Sequence, residues 1–107
     1  MITFLALQLA VLLSNADEAS FKDYRICVLQ KVSTSDLVER DSQIIEAAKK
    51  ECEDDRLAAA MEMAADDLER EGAKKPKVDA DARMNVMEKK LTADALNALV
   101  ARRTKAQ

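Results

Sequence analysis

The sequence predicts an all-α fold, and three observations lead to that prediction. The chain has one Gly, one Pro, two Phe and one Tyr, so little is available for strands and tight turns. Ala, Leu, Glu, Lys and Met, which favour helices, are abundant. Apolar residues recur at three- and four-residue spacing, the period of an amphipathic helix. We expect a helical hairpin closed by a disulfide, with a third helix packed on the second half of a long central helix.

The first helix is predicted from Phe21 to about Val32, with Ser20 as its N-cap. Its apolar residues fall on one face: Phe21, Tyr24, Val28 and Val32. Residues 33–36 then bring Ser, Thr and Asp side chains that compete for backbone hydrogen bonds, which favours a turn.

The central helix begins either at Asp36 or at Asp41 or Ser42, and ends near Gly72, before Pro76. Its apolar residues change phase at residues 53–56. One set comprises Ile45, Ala48 and Cys52, and the other comprises Leu57, Met61, Ala64 and Leu68. This change indicates that the two halves bury opposite faces, the first half against helix 1 and the second against helix 3. An elongated, Z-like molecule would result, with a compact bundle as the alternative.

The last helix is predicted to start near Asp79, after a linker at residues 72–78. One of its faces carries Met84, Met87, Leu91, Ala95 and Ala98, and this face is widened by Leu96, Leu99 and Val100. Four methionines are expected to meet where this helix contacts the central one, as adaptable packing rather than a copper site: Met61, Met63, Met84 and Met87.

Residues 1–16 resemble a cleavable signal peptide. The segment from Ile2 to Leu13 is almost wholly apolar. It is too short to cross a membrane as a helix, but its length suits the apolar region of a secretory signal. Ser14-Asn15-Ala16 predicts cleavage after Ala16, which leaves residues 17–107 as a single small helical domain. No Lys or Arg precedes the apolar run, which argues against export. A retained first helix packed on the rest and an uncleaved, membrane-held form are the alternatives.

Cys27 and Cys52 are expected to form one structural disulfide, because an even pair in an exported chain without CxxC spacing or His is most simply a crosslink. Their midpoint falls within residues 33–42, as an antiparallel hairpin requires, and this favours the later start of the central helix near Asp41. The chain-entropy argument gives a stabilisation of about 3.5 kcal/mol.

Enzyme activity is not expected. The chain has no His, which excludes Ser-His and Cys-His catalysis, and no nucleophile motif appears. Cys52 lies between Glu51 and Glu53, an environment that makes a poor thiolate. The acidic residues do not match a calcium-binding loop, and two thiolates without His do not make a zinc site. We therefore predict no catalytic residue, no cofactor and no metal site.

The charges are unevenly distributed. Residues 17–71 carry a net charge of −8, and residues 72–107 carry +5. We expect the basic tail to lie against the acidic part of the chain or to cap its own helix, and not to bind nucleic acid, because no aromatic residue interleaves with the basic ones.

The order of features in residues 1 to about 55 resembles small exported bacterial helical proteins with two cysteines and no assigned function. These features are the apolar leader, Tyr24 and Cys27, the polar turn, and the segment Ile-Glu-Ala-Ala-Lys-Lys-Glu-Cys ending at Cys52. The resemblance implies export and a disulfide, and implies no activity. The long helix after Cys52 departs from the short members of that group.

We expect a periplasmic or secreted interaction or scaffold module, in which the Ala- and Met-rich face of the second and third helices binds a partner helix or a second copy. The first alternative is weak contact with an anionic membrane surface through six basic residues: Lys74, Lys75, Lys77, Arg102, Arg103 and Lys105. The second is a small redox or metal-handling protein with reactive thiols.

Overall fold

The computed structural model describes residues 2–71 and 76–106, with side chains at 17–66, 68, 69 and 80–106. These residues form four helices and no strand: α1 (Ile2–Thr34), α2 (Asp41–Glu51), α3 (Glu53–Glu71) and α4 (Pro76–Ala106). Each helix contacts the other three, so the molecule is a helical bundle. The all-α prediction is confirmed.

The first helix is longer than predicted. α1 runs without interruption from Ile2, so the expected start at Phe21 is wrong, and Ser20 is buried inside the helix instead of capping it. Residues 2–19 contain no Gly or Pro, so nothing breaks the helix before Ser20. The side chains of the predicted leader, 1–16, lie outside the described residues, and the structure does not test cleavage after Ala16.

The predicted buried face of α1 is confirmed. Phe21, Tyr24, Val28 and Val32 are all fully buried and belong to one hydrophobic cluster. The Phe21 and Tyr24 rings meet edge to face, with 5.1 Å between their centroids. Aromatic pairs favour this arrangement, so these two residues contribute both apolar area and a defined geometry to the core.

Polar side chains end α1. The hydroxyls of Ser33 and Thr34 both donate to the Gln30 carbonyl oxygen, at 2.7 and 3.1 Å. In the turn that follows, the Asp36 carboxylate accepts the Val38 backbone N–H at 3.1 Å. These local bonds satisfy backbone groups that would otherwise extend the helix, which is why α2 starts only at residue 41. The later of the two predicted starts is the one observed.

α2 and α3 together form an almost continuous rod, which we call the central rod. The Cys52 backbone N–H donates to the Ala48 carbonyl oxygen, and the Cys52 carbonyl accepts the Arg56 N–H, both at 3.1 Å. Helical bonding therefore passes through Cys52, although that residue has φ −100° and ψ 20°. The predicted long helix exists, with a one-residue irregularity at Cys52 and not within residues 53–56.

The predicted change of phase along the central rod is wrong. The buried side chains keep a single direction through both helices, because they recur at intervals of three, four, seven and four residues: Ile45, Ala48, Cys52, Ala59 and Met63. The larger apolar residues Leu57, Met61 and Leu68 lie outside the core. The elongated arrangement is also wrong, since α4 packs on α1 as well as on α3.

α4 begins at Pro76 rather than near Asp79, so residues 76–78 of the predicted linker lie in its first turn, where proline fits well. Residues 72–75, with the predicted cap at Gly72, lie outside the described residues. The buried face comprises Ala80, Met84, Met87, Leu91, Ala95 and Leu99, and Ala98 is partly buried against it. Leu96 and Val100 were expected to widen this face but are exposed. Three of the four methionines lie in the core, and Met61 does not.

Polar contacts fix the direction of α4. Its Lys90 bonds Glu18 of α1 at 2.9 Å, and its Asp94 pairs with Arg25 at 3.0 Å. Residue numbers rise together along both helices, so α1 and α4 are parallel. The Lys49 ammonium donates to the Thr92 hydroxyl at 2.8 Å, which places α4 beside the central rod as well.

Arg102, near the end of α4, caps α1. Its guanidinium donates to the Val32 carbonyl oxygen at 2.6 Å and to the Ser35 carbonyl oxygen at 2.8 Å. The last carbonyls of a helix have no partner within it, so a cation there satisfies both hydrogen bonding and the helix dipole. The basic tail therefore caps another helix, and Arg103 and Lys105 also place positive charge in the last turn of α4, as one prediction had it.

Arg103 binds the turn between α1 and α2. It donates to the Asp41 carboxylate and to the Leu37 and Glu39 carbonyl oxygens, each at 2.9 Å. One side chain thus holds two points of the six-residue connection and the first residue of α2. The prediction that the tail lies against acidic residues is met here by Asp41.

Replacing Arg103 by Ala should lower the free energy of unfolding by about 1–3 kcal/mol, because it leaves two turn carbonyls and a carboxylate without their charged donor. Urea denaturation followed by circular dichroism measures the change. Lys105→Ala removes a cation from the same helix end at an exposed position and should change stability by less than about 0.5 kcal/mol. Equal effects of the two substitutions would contradict the role assigned to Arg103.

Candidate interaction surface

The Cys27–Cys52 disulfide is present and joins α1 to the central rod at its irregularity. The two Cα atoms are 6.0 Å apart, and Cys52 is only 1% exposed. The predicted pair is confirmed. Cys52 is buried among core residues and Cys27 is partly buried against them, so the bond joins α1 to the central rod within the core.

An apolar stripe runs along the outer face of α3. Met61 is 71% exposed, and Leu57 and Leu68 are each 49% exposed. Spacings of four and seven residues put the three on one side of the helix, and we call them the α3 stripe. The exposed alanines Ala58 and Ala65 lie beside them. Helix backbones can approach closely where alanine replaces a larger side chain, so this face suits contact with another helix.

α3 is apolar on two sides. Ala59 and Met63 face the core, and the α3 stripe faces outward. Between them, Ala60 and Ala64 are partly buried against the core. A helix that is apolar around most of its circumference normally contacts other elements on more than one side. In the described part of the chain, nothing covers the outer side.

Uncompensated carboxylates accompany the stripe. Glu53, at the start of α3, is paired with Arg56 at 3.1 Å. The remaining described acids of α3 make no hydrogen bond or ion pair with any described residue: Asp54, Asp55, Glu62, Asp66 and Glu69. Elsewhere in the bundle, Asp41, Glu51 and Asp94 are each paired with a cation, whereas Asp23 and Glu46, like these acids of α3, have no ion pair within the described residues. The outer side of α3 is therefore both apolar and negatively charged.

α4 also exposes apolar side chains. Val86 and Val100 lie fourteen residues apart with the exposed Ala93 midway, and Leu96 is near them. We call these four residues the α4 strip. Leu96 and Val100 belong to this strip and not to the core, and the strip gives the bundle a second apolar face.

A polar cleft of about 510 Å³ lies between the central rod and α4. At its base the Tyr24 hydroxyl donates to Glu88 Oε1 at 3.1 Å. Burial, followed by the charge of Glu88, raises the pKa of Tyr24 well above its ordinary value. The Arg56 and Lys49 cations at the walls are bound to Glu53 and Thr92 respectively. These contacts make the cleft a polar junction of α1, the central rod and α4, and Glu46 and Lys50 also line it.

The raised pKa of Tyr24 predicts loss of stability at high pH. The unfolded phenol ionises near pH 10, whereas the folded one retains its proton, so stability is fully present below pH 10. Above that pH it should fall by up to about 1.4 kcal/mol per pH unit from this group. Tyr24 is the only tyrosine, so absorbance at 295 nm reports it alone.

Tyr24→Phe is the matched control. It should cost about 1 kcal/mol at neutral pH through the lost hydrogen bond, and it should remove the tyrosine part of the alkaline decline. A phenol that titrates near pH 10 in the folded protein would contradict the assignment.

The other predicted functional residues are distributed as follows. Lys74, Lys75 and Lys77 of the expected membrane contact lie outside the described side chains. Arg102 and Arg103 are bound to the end of α1 and to the α1–α2 turn, and Lys105 is exposed. No helix in the described residues is long and apolar enough to span a bilayer. Among the same residues, no group of three or more Cys, Asp and Glu side chains is placed to hold a metal ion.

Comparisons with protein-family models, with curated proteins and with solved structures give no match. The exposed surface of the bundle is therefore the feature that bears on function. The α3 stripe and its carboxylates are the feature that sequence reasoning misplaced, because it assigned Leu57, Met61 and Leu68 to the core. The acidic content of residues 53–71 was the available signal for an exposed face.

Proposed function

We propose that this chain is an exported, non-catalytic interaction module that presents the α3 stripe to a helix of another protein. The observation that carries the proposal is the exposure of Leu57, Met61 and Leu68 beside a core that is already closed. Single exposed apolar residues are common on protein surfaces, but a continuous stripe on one helix face is typical of a binding site. Helix-in-groove and helix-on-helix recognition use this spacing of apolar anchors.

Export is supported by the disulfide and by the leader. Disulfides persist in oxidising compartments and are rare in the cytosol of most organisms. Residues 1–16 have the composition of a secretory signal, with small residues before the expected cleavage after Ala16. We therefore assign the protein to the periplasm or to the secreted fraction, in agreement with the small two-cysteine proteins that it resembles.

The non-catalytic assignment follows from the polar groups. Catalysis needs an acid, base or nucleophile that is free to react, with a pKa suited to the task. In the polar cleft, Tyr24, Glu88, Arg56 and Lys49 are all bound to neighbours. The chain contains no His to act near neutral pH.

The two alternative functions gain no support from the placement of their residues. A membrane-surface role would use Arg102 and Arg103, and both already cap backbone carbonyls. A redox role would need an accessible sulfur, and Cys52 is buried. Neither alternative explains the α3 stripe.

Mass spectrometry of the protein purified from its native source tests export. The expected mass is that of residues 17–107 less two hydrogens, because cleavage follows Ala16 and both cysteines are oxidised. Alkylation without reductant should add no label, and alkylation after reduction of the unfolded protein should add two. A product that begins at Met1 and carries two free thiols would remove the export proposal.

Photo-crosslinking tests the interaction face. A crosslinking amino acid at position 61 should give one discrete adduct in the native compartment, identified by peptide mass spectrometry. Val38 provides the matched control, because it is 88% exposed but lies in the α1–α2 turn, far from the stripe in sequence. The same adducts from both positions, or none from position 61, would contradict the proposal.

A further inference from the structure

We propose that the partner of the α3 stripe is a cationic amphipathic helix, which carries an apolar stripe of its own flanked by Lys or Arg. This inference rests on the proposed function and adds the chemistry of the partner. It is carried by two features of α3: the length of the apolar stripe, and a row of unpaired carboxylates that is separated from the stripe by Ala58 and Ala65.

The apolar part of the match is set by helix geometry. Leu57 and Leu68 are eleven residues apart, which is about 17 Å or three turns of helix. A partner helix of comparable length can cover all three side chains of the stripe with anchors spaced by three or four residues. Ala58 and Ala65 leave room for its backbone to approach.

The charged part of the match comes from a row of carboxylates. Four acids recur at intervals of seven, four and three residues and so share one side of α3: Asp55, Glu62, Asp66 and Glu69. Asp54 lies between that row and the stripe. No described residue of the chain neutralises any of the five. A partner with Lys or Arg beside its apolar stripe would supply the missing counter-charges and be steered to the site.

The same charges disfavour a second copy as the occupant. Two α3 helices packed stripe to stripe would bring the acids of one chain against those of the other, which is destabilising. The α4 strip of a second copy offers little better. Two lysines lie near this strip. Lys90 is bound to Glu18 within its own chain, so only Lys89 would be left to neutralise five carboxylates.

Binding of designed peptides to the disulfide-bonded protein tests the proposal. The probe is a fluorescein-labelled helix of about 18 residues, with Leu on one face and Lys on the flanks. Two controls accompany it: a peptide with the same Leu face and Glu flanks, and a scrambled peptide that keeps the Leu and Lys content without a stripe. Fluorescence anisotropy should show binding of the probe at least tenfold tighter than that of either control. The affinity should fall as NaCl is raised from about 50 to about 500 mM.

Four variants separate the stripe from the charges. Met61→Gln should weaken binding of the probe by about tenfold, since an apolar anchor is lost from the centre of the contact. Glu62→Gln with Glu69→Gln should weaken it severalfold and reduce its salt dependence. Each variant has a matched control at exposed positions away from α3. Val38→Gln is the control for Met61→Gln, and Asp23→Asn with Glu39→Gln is the control for the double substitution of glutamates. Both controls should bind like the unmodified protein. Circular dichroism verifies that all four variants fold.

Three results would overturn the inference. Equal binding of the scrambled peptide would show non-specific attraction of cations. Sedimentation velocity that reveals a dimer, lost in Met61→Gln, would show a second copy on the stripe. Failure of the probe to bind, while position 61 still gives an adduct with another protein in the native compartment, would show that the partner has different chemistry. In that last case the interaction module stands, whereas loss of the adduct itself contradicts the proposed function.

Discussion

The covalent bond between Cys27 and Cys52 is the constraint on which the rest of the bundle depends. It joins α1, about two turns before the C-terminal end of that helix, to the one irregular residue of the central rod, across a sequence separation of 25. In the chain-entropy account, closing such a loop stabilises the fold by about 3.5 kcal/mol, a large share for a small domain. The bond also sets the register of α1 against the rod.

α4 is held to this frame by polar contacts at its middle and at its C-terminal end. Lys90 and Asp94 tie the middle of α4 to α1, and Arg102 and Arg103 close the end that carries the α1–α2 turn. These arginines act on backbone carbonyls, which are fixed in position by helix and turn geometry and are present whatever the local side chains. An ordinary surface ion pair contributes little, because two flexible side chains must be ordered for one contact. A guanidinium bound to several carbonyls avoids part of that cost.

Sequence reasoning succeeded where a helix has one apolar face and failed where it has two. Phe21, Tyr24 and Val28 form a single stripe on α1, so their burial could be predicted, and the disulfide followed from its midpoint. On α3 the choice lay between Ala59 with Met63 and Leu57 with Met61, and periodicity shows only that both faces are apolar. The structure selects the first pair. The start of α1 was misplaced for a different reason: a good capping residue, Ser20, does not begin a helix that already extends past it.

The distribution of residue sizes on α3 is itself an argument for binding. A chain that needed only to fold would gain by turning Leu57, Met61 and Leu68 inward, at roughly 1.5–3 kcal/mol for each large apolar side chain fully buried. This chain buries Ala59 and Met63 instead and leaves two leucines and a methionine in water, on a helix whose described carboxylates after Glu53 have no partner within the described residues. Both features oppose the stability or the compactness of an isolated bundle. Both become favourable when a helix with the complementary pattern covers α3. The outer face of α3 is therefore explained by binding to a partner, and its inner face by packing in the core.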